Sequence, residues 1–180
     1  MPFTPFHLGP ALCLAIPLRR YIHAPTFILA SLVLDVEPLL VLVFGLNYPL
    51  HGYFHTFIAA IGVGIVFGLA MFFLESIMHP LYGTLLLVPE APFGKRQFLV
   101  AAVLGTMLHV ALDSLLYSDI KPFFLSTLNP LYGLASSLEI YLLCVFMGIL
   151  GIIFYLLLIL SKKYWKSRGK NLITEDWHSP

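Results

Sequence analysis

The sequence predicts an all-α, polytopic integral membrane bundle of four long spans, preceded by a short N-terminal apolar segment. Three observations carry that reading. Of the 180 residues, 59% are hydrophobic and only 11% charged, under half the roughly 25% charge of ordinary soluble domains. The mean hydropathy of +0.92 leaves too few charges to cover a water-facing surface. Four apolar runs reach the roughly 20 residues that cross a bilayer.

The first apolar run, Leu8–Leu18, has eleven residues and is interrupted by Pro10 and Pro17. It fits a short tilted span, a re-entrant piece or an interfacial helix. The basic pair Arg19-Arg20 follows this run, whereas a cleaved signal peptide carries its basic residues ahead of the apolar stretch. The long spans are expected at Thr26–Leu46, Phe54–Leu74, Phe98–Leu116 and Leu138–Leu160. Two moderately apolar connectors, Pro80–Pro89 and Pro122–Ser137, are expected to lie against the bundle or dip into it. Residues 1–160 then form one transmembrane domain and 161–180 a basic tail. Cys13 and Cys144 lie in apolar runs without metal or redox spacing and read as small core residues. Gly64-x-x-x-Gly68 reads as a close helix contact. The repeated "HPLYG" at 79–83 and "NPLYG" at 129–133 reads as coincidence or a shared helix stop, with an inverted repeat of the transporter kind as the alternative.

Positive charge sets the expected orientation. Arg19-Arg20, Lys95-Arg96 and the tail residues Lys162, Lys163, Lys166, Arg168 and Lys170 fall on one side if four spans follow Arg20. That side is the cytoplasm, so the C-terminus is expected there in a multi-pass cell-membrane protein. The opposite loops carry only Lys121. The tail cluster reads as an anchor to anionic lipid, not as a nucleic-acid site.

Ionisable side chains inside a bilayer are costly and mark function by default. Asp35 and Glu37 lie in mid-span; His51 and His55 lie at the start of the next span. His109 and Asp113 lie in the outward half of a third. All six fall between the middle of the bilayer and its outer face. His109 and Asp113, at i and i+4, share one helix face. His51 and His55 do the same if their helix begins by residue 51. Asp35 and Glu37 would point about 200° apart on a regular helix. Pro38 disfavours helical geometry at Glu37, and a break there turns both acids inward. Asp35, Glu37 and Asp113 have no Lys or Arg in any span to pair with, so either they are protonated or a cation sits among them, and the charge balance favours the cation. Carboxylates beside histidines suit Zn, with Mn or Fe as alternatives, as one or two ions. His23 and His79 read as hydrogen-bonding or interfacial histidines, and His178 as solvated.

The order of these motifs resembles the YdjM-like inner-membrane proteins, a family described as metal-dependent hydrolases. The matching stretches are "TPFHLG" with Thr4 and His7, "LVLDVEP" with Asp35 and Glu37, "HGYFHTF" with His51 and His55, and "GTMLHVALD" with His109 and Asp113. They cover about residues 4 to 135, "LNPLYG" included. Leu34 stands where the family motif has proline, Glu37 where it has a second aspartate, and Gly52 where it has arginine. The resemblance implies a metal held by His7, Asp35, His55, His109 and Asp113, with Glu37 and His51 serving catalysis. Its implied substrate is a phosphoester of a membrane lipid or lipid-linked molecule on the extracytoplasmic side. Two other readings compete: an ion or proton transporter using the same acids and histidines as a relay, and a non-catalytic metal-binding membrane protein.

Overall fold

The computed structural model describes residues 5–87, 93–124, 126 and 128–175. Thr4 and His178 lie outside the described residues, as do the side chains of Lys166, Arg168 and Lys170. The regular elements are all helical.

A 3-10 turn at Pro5–His7 leads into α1 (Leu8–Leu18). Pro10 falls in the first turn of α1, where a missing N–H deprives the helix of nothing. At 1.5 Å per residue α1 is about 16 Å long, roughly half a bilayer core. It packs along α6 and α2, so this segment enters the bundle as a half-length helix and does not lie on its surface.

The first long apolar stretch is two helices, α2 (Ala24–Val33) and α3 (Val36–Phe44). His23 caps α2 by accepting the Thr26 N–H at 3.3 Å. The break falls at Leu34–Asp35, slightly before the expected position at Glu37. Pro38 explains the offset: it has no N–H for the Leu34 carbonyl four residues back. The Glu37 N–H takes that carbonyl instead, at 3.0 Å, and the Asp35 N–H takes that of Leu32 at 3.1 Å. These i−3 bonds tighten the chain and reset the direction of the acids. Gly45, with φ +58°, ends α3 in the left-handed conformation typical of a glycine C-cap.

α4 (Phe57–Thr84) starts later than the expected Phe54 and runs well past Leu74. Its start is set by Thr56, whose Oγ1 accepts the Ala59 N–H at 3.1 Å. Pro80 lies inside α4, so "HPLYG" forms its last turns, not a connector. "NPLYG" is a turn, in which Asn129 Nδ2 donates to the carbonyls of Ser114 (2.9 Å) and Tyr117 (3.1 Å). The shared letters therefore mark no structural repeat. Those two bonds close the C-terminal end of α5 (Lys95–Leu116). α6 (Ser137–Glu175) opens with a capping box: Ser136 accepts the Glu139 N–H, and the Glu139 carboxylate accepts that of Ser136 at 2.7 Å.

α5 is the most enclosed of the long helices and α6 the most exposed. α4 and α2 pack on α5, and α1 bridges α2 and α6. Two glycines permit the close approach. A Cβ on Gly64 would lie 2.8 Å from Val103 Cα of α5, and one on Gly105 only 2.6 Å from the Phe27 carbonyl of α2. Among the described residues, four lengths are long and apolar enough to cross a membrane: Ala24–Phe44, Phe57–Thr84, Lys95–Leu116 and Ser137–Tyr164. Their outward side chains, such as Val66, Phe73, Leu142, Ile149 and Leu156, are exposed and apolar, as a hydrocarbon solvent requires.

Candidate metal centre

Four segments bring His7, Asp35, Glu37, His55, His109 and Asp113 together, all buried. His109 and Asp113 meet on one face of α5, with Nε2 and Oδ2 3.2 Å apart. The α2–α3 break delivers Asp35, whose Oδ1 lies 3.8 Å from His109 Nε2. The turn before α1 delivers His7, stacked on the His109 ring at 4.1 Å with its Nε2 3.1 Å from Asp113 Oδ1. From the 3-10 turn Tyr53–His55, ahead of α4, comes His55; its Nε2 is 3.8 Å from Asp113 Oδ2.

His51 and His55 are neighbours, but not through a helix. α4 begins only at Phe57 and Gly52 is non-helical, so a loop and a tight turn set the two rings 5.0 Å apart. The expected i, i+4 helical geometry is thus replaced by a turn that still brings them together.

Hydrogen bonding fixes which nitrogens face the centre. His109 Nδ1 donates to the Ser31 carbonyl at 2.8 Å. His55 Nδ1 is 2.9 Å from Glu37 Oε2, and His51 Nδ1 is 2.9 Å from Asp119 Oδ2. The neutral form of each imidazole then carries its proton on Nδ1 and leaves Nε2 free to bind a metal. The Nε2 atoms of His55 and His109 face each other at 3.4 Å. Two lone pairs at that distance, beside the Asp113 carboxylate, repel each other; a metal ion between them, or a proton on one nitrogen, removes the conflict. Both nitrogens of His7, Asp35 Oδ2 and Asp113 Oδ1 are buried without a hydrogen-bond partner, although His7 and Asp113 are within ion-pair distance. Such groups are costly in a bilayer until a hydrogen-bonding partner or a cation completes them.

Two overlapping sets can each hold a metal ion: His7, Asp35, His109 and Asp113; and His51, His55 and Asp113. In each, the ligand atoms lie within 4.8 Å of one another. Asp113 belongs to both. Glu37 belongs to neither and instead holds His55, in the carboxylate–histidine arrangement that orients metal ligands. It also accepts from the Tyr48 hydroxyl at 3.3 Å. Desolvation, reinforced by the Glu37 charge, raises the Tyr48 phenol above its ordinary 10, which keeps it a donor.

Three contributors escape a reading by residue type. Asp119 looks like an ordinary loop acid, Tyr48 like an interfacial aromatic, and the Ser31 contribution is a backbone carbonyl. The usable signal for Asp119 is its position just beyond the helix that carries Asp113.

A second buried polar group lies at the other end of the bundle, by Arg19 and Arg20. His23 stacks on Phe98 at 4.1 Å, and its Nε2 approaches Glu75 Oε2 at 3.4 Å. Glu75 is 20 residues from His55, about 30 Å along a helix, and the faces of α4 between them are apolar. Burial holds the His23 imidazole down at about 4. The unfolded chain takes up this proton near the ordinary 6.5, the folded chain only near 4. Folding stability therefore falls as pH drops from 6.5 to about 4 and levels off below. The gap corresponds to about 3 kcal/mol. In chelator, His23→Asn keeps a capping side chain and is expected to lose less stability than wild type between pH 7 and pH 4. Parallel thermal-melting profiles for the two proteins would contradict this.

No protein-family model, curated protein or solved structure matches this chain.

Proposed function

We propose that the chain is a membrane-embedded, metal-dependent hydrolase acting on a phosphoester of a lipid or lipid-linked substrate, with its centre toward the extracytoplasmic face. The observation that carries the reading is the opposed Nε2 pair of His55 and His109 beside Asp113. The distribution of basic residues supports the orientation: Arg19, Arg20, Lys95, Arg96, Lys162 and Lys163 fall at the end away from the centre. The order of the motifs, similar to that of the YdjM-like proteins, supports hydrolysis.

Zn or a similar ion held by His7, Asp35, His55, His109 and Asp113 would supply a Lewis acid and an acidified water. The chain's residues do the rest. Glu37 fixes the ring of His55 through its Nδ1–H. The Ser31 carbonyl does the same for His109. His51 stands at the edge of the centre with Asp119 behind it, so it can accept a proton from the attacking water while the carboxylate stabilises the imidazolium. Glu37 is thus a positioning residue and His51 the candidate general base.

Purified protein in lipid nanodiscs, loaded with zinc, is expected to release the head group from phosphodiester lipids. His109→Ala should abolish release, and chelator should suppress it reversibly. Tight metal binding without turnover of any phosphoester in the panel would favour the non-catalytic metal-binding alternative, and metal-independent ion flux would favour a transporter.

A further inference from the structure

Beside the metal centre lies a cavity of about 320 Å³ whose wall includes Tyr48, His51, Tyr53, Asp119, Lys121 and Phe124. His51 belongs to both the cavity and the candidate metal sets. The cavity is therefore the antechamber of the centre. Lys121 is the one Lys or Arg among the described residues that line it.

Three features set Lys121 apart. The chain has ten Lys and Arg residues, and the other nine stand at the opposite end of the bundle or in the C-terminal tail. A lysine on this face runs against the charge bias that orients membrane helices. Next, Lys121 has no salt-bridge partner among the described residues, whereas Asp119, two positions earlier, is engaged by His51 Nδ1 at 2.9 Å. Its ammonium is the uncommitted charge of the cavity. Lastly, its segment is pinned in place. The Phe57 N–H at the start of α4 donates to the Pro122 carbonyl at 2.9 Å, and the Phe123 ring packs on Phe57 at 5.6 Å. The lysine therefore projects from an anchored stretch beside the aromatic walls.

We infer that Lys121 is an anion-binding residue that docks the phosphate group of the substrate in this cavity, next to His51. The inference rests on the hydrolase reading for what happens to the docked group, but not for the docking itself. A compact ammonium with three rotatable donors suits a phosphate. The ring faces of Tyr48, Tyr53 and Phe124 suit the apolar part adjoining a head group. The shared chemistry is a phosphate monoester or diester, whether carried by a lipid or by a soluble molecule.

Binding is read by isothermal titration of detergent-purified, zinc-loaded protein with inorganic phosphate and with dihexanoyl phosphatidic acid. Lys121→Ala is expected to weaken binding at least tenfold and Lys121→Arg to restore most of it. Metal content and melting temperature should match wild type in both variants, because the side chain is exposed. Lipid binding much tighter than phosphate binding, both depending on Lys121, assigns the site to a lipid head group. Equal affinities assign it to soluble phosphate esters. Lys121→Ala binding as well as wild type, or wild type binding neither probe, overturns the inference. Wild type that binds through Lys121 but hydrolyses nothing leaves the anion site standing and sinks the hydrolase reading alone.

Discussion

Asp113→Ala is expected to remove all bound metal, whereas no other single substitution in the centre should do so. Asp113 is the one residue common to both candidate sets. Its Oδ2 faces the Nε2 of His109 at 3.2 Å and that of His55 at 3.8 Å, while its Oδ1 faces His7 at 3.1 Å. Deleting this carboxylate takes a ligand from each set and leaves three histidines without a shared anion. His7→Ala removes a ligand from one set only, and His55→Ala from the other, so each should keep one ion per chain if wild type holds two. Glu37→Gln tests the next layer out. It keeps the shape but weakens the hold on His55 Nδ1, now 2.9 Å, and loss of such an outer partner typically costs 10–100-fold in affinity. Elemental analysis of detergent-purified variants, dialysed against graded chelator, gives this ranking directly. Equal metal content in Asp113→Ala and wild type would rule out the shared-carboxylate arrangement.

Much of this centre could be read from residue types, and its failures have physical causes. The helical spacing of His109 and Asp113 is a local property and survives folding unchanged. Asp35 and Glu37 stood out because an apolar span tolerates so few charges, and Pro38 pointed to the break that turns them inward. What spacing could not reach was anything set by a loop or by packing between distant segments. His51 and His55 come together through a turn whose geometry depends on Gly52 and on the cap at Thr56. His7 reaches the centre only because α1 is a half-length helix held between α2 and α6, and no pattern within eleven residues announces that. The extension of α4 through Pro80 likewise depends on tertiary contacts, among them the approach of Glu75 to His23 and the packing of Tyr82 in the core. The ligands carry a chemical signature; the partners that orient them, above all the Ser31 carbonyl, carry almost none.

Metal removal is expected to lower the thermal midpoint by about 8–16 °C, and one substitution should reverse the sign of its effect with loading. An ion at 1,000 times its dissociation constant stabilises the folded state by about 4 kcal/mol, and in a chain of this size each kcal/mol is worth roughly 2–4 °C. Without the ion, the buried carboxylates of Asp35 and Asp113 face each other across the same histidines, and Asp35 Oδ2 has no hydrogen-bond partner. Removing one of those charges relieves the metal-free state, since an uncompensated buried charge is among the costlier features a fold can carry. Asp35→Asn should therefore melt above wild type in chelator. With zinc in excess it should melt below wild type, because it has lost a ligand of the His7–Asp35–His109–Asp113 set. Differential scanning fluorimetry of both proteins, in zinc and in chelator, measures the four midpoints. A crossing of the two pairs marks Asp35 as a metal ligand. Asp35→Asn above wild type in both conditions would make Asp35 a buried acid that no metal needs, and Asp35→Asn below in both would make it a structural hydrogen-bonding group.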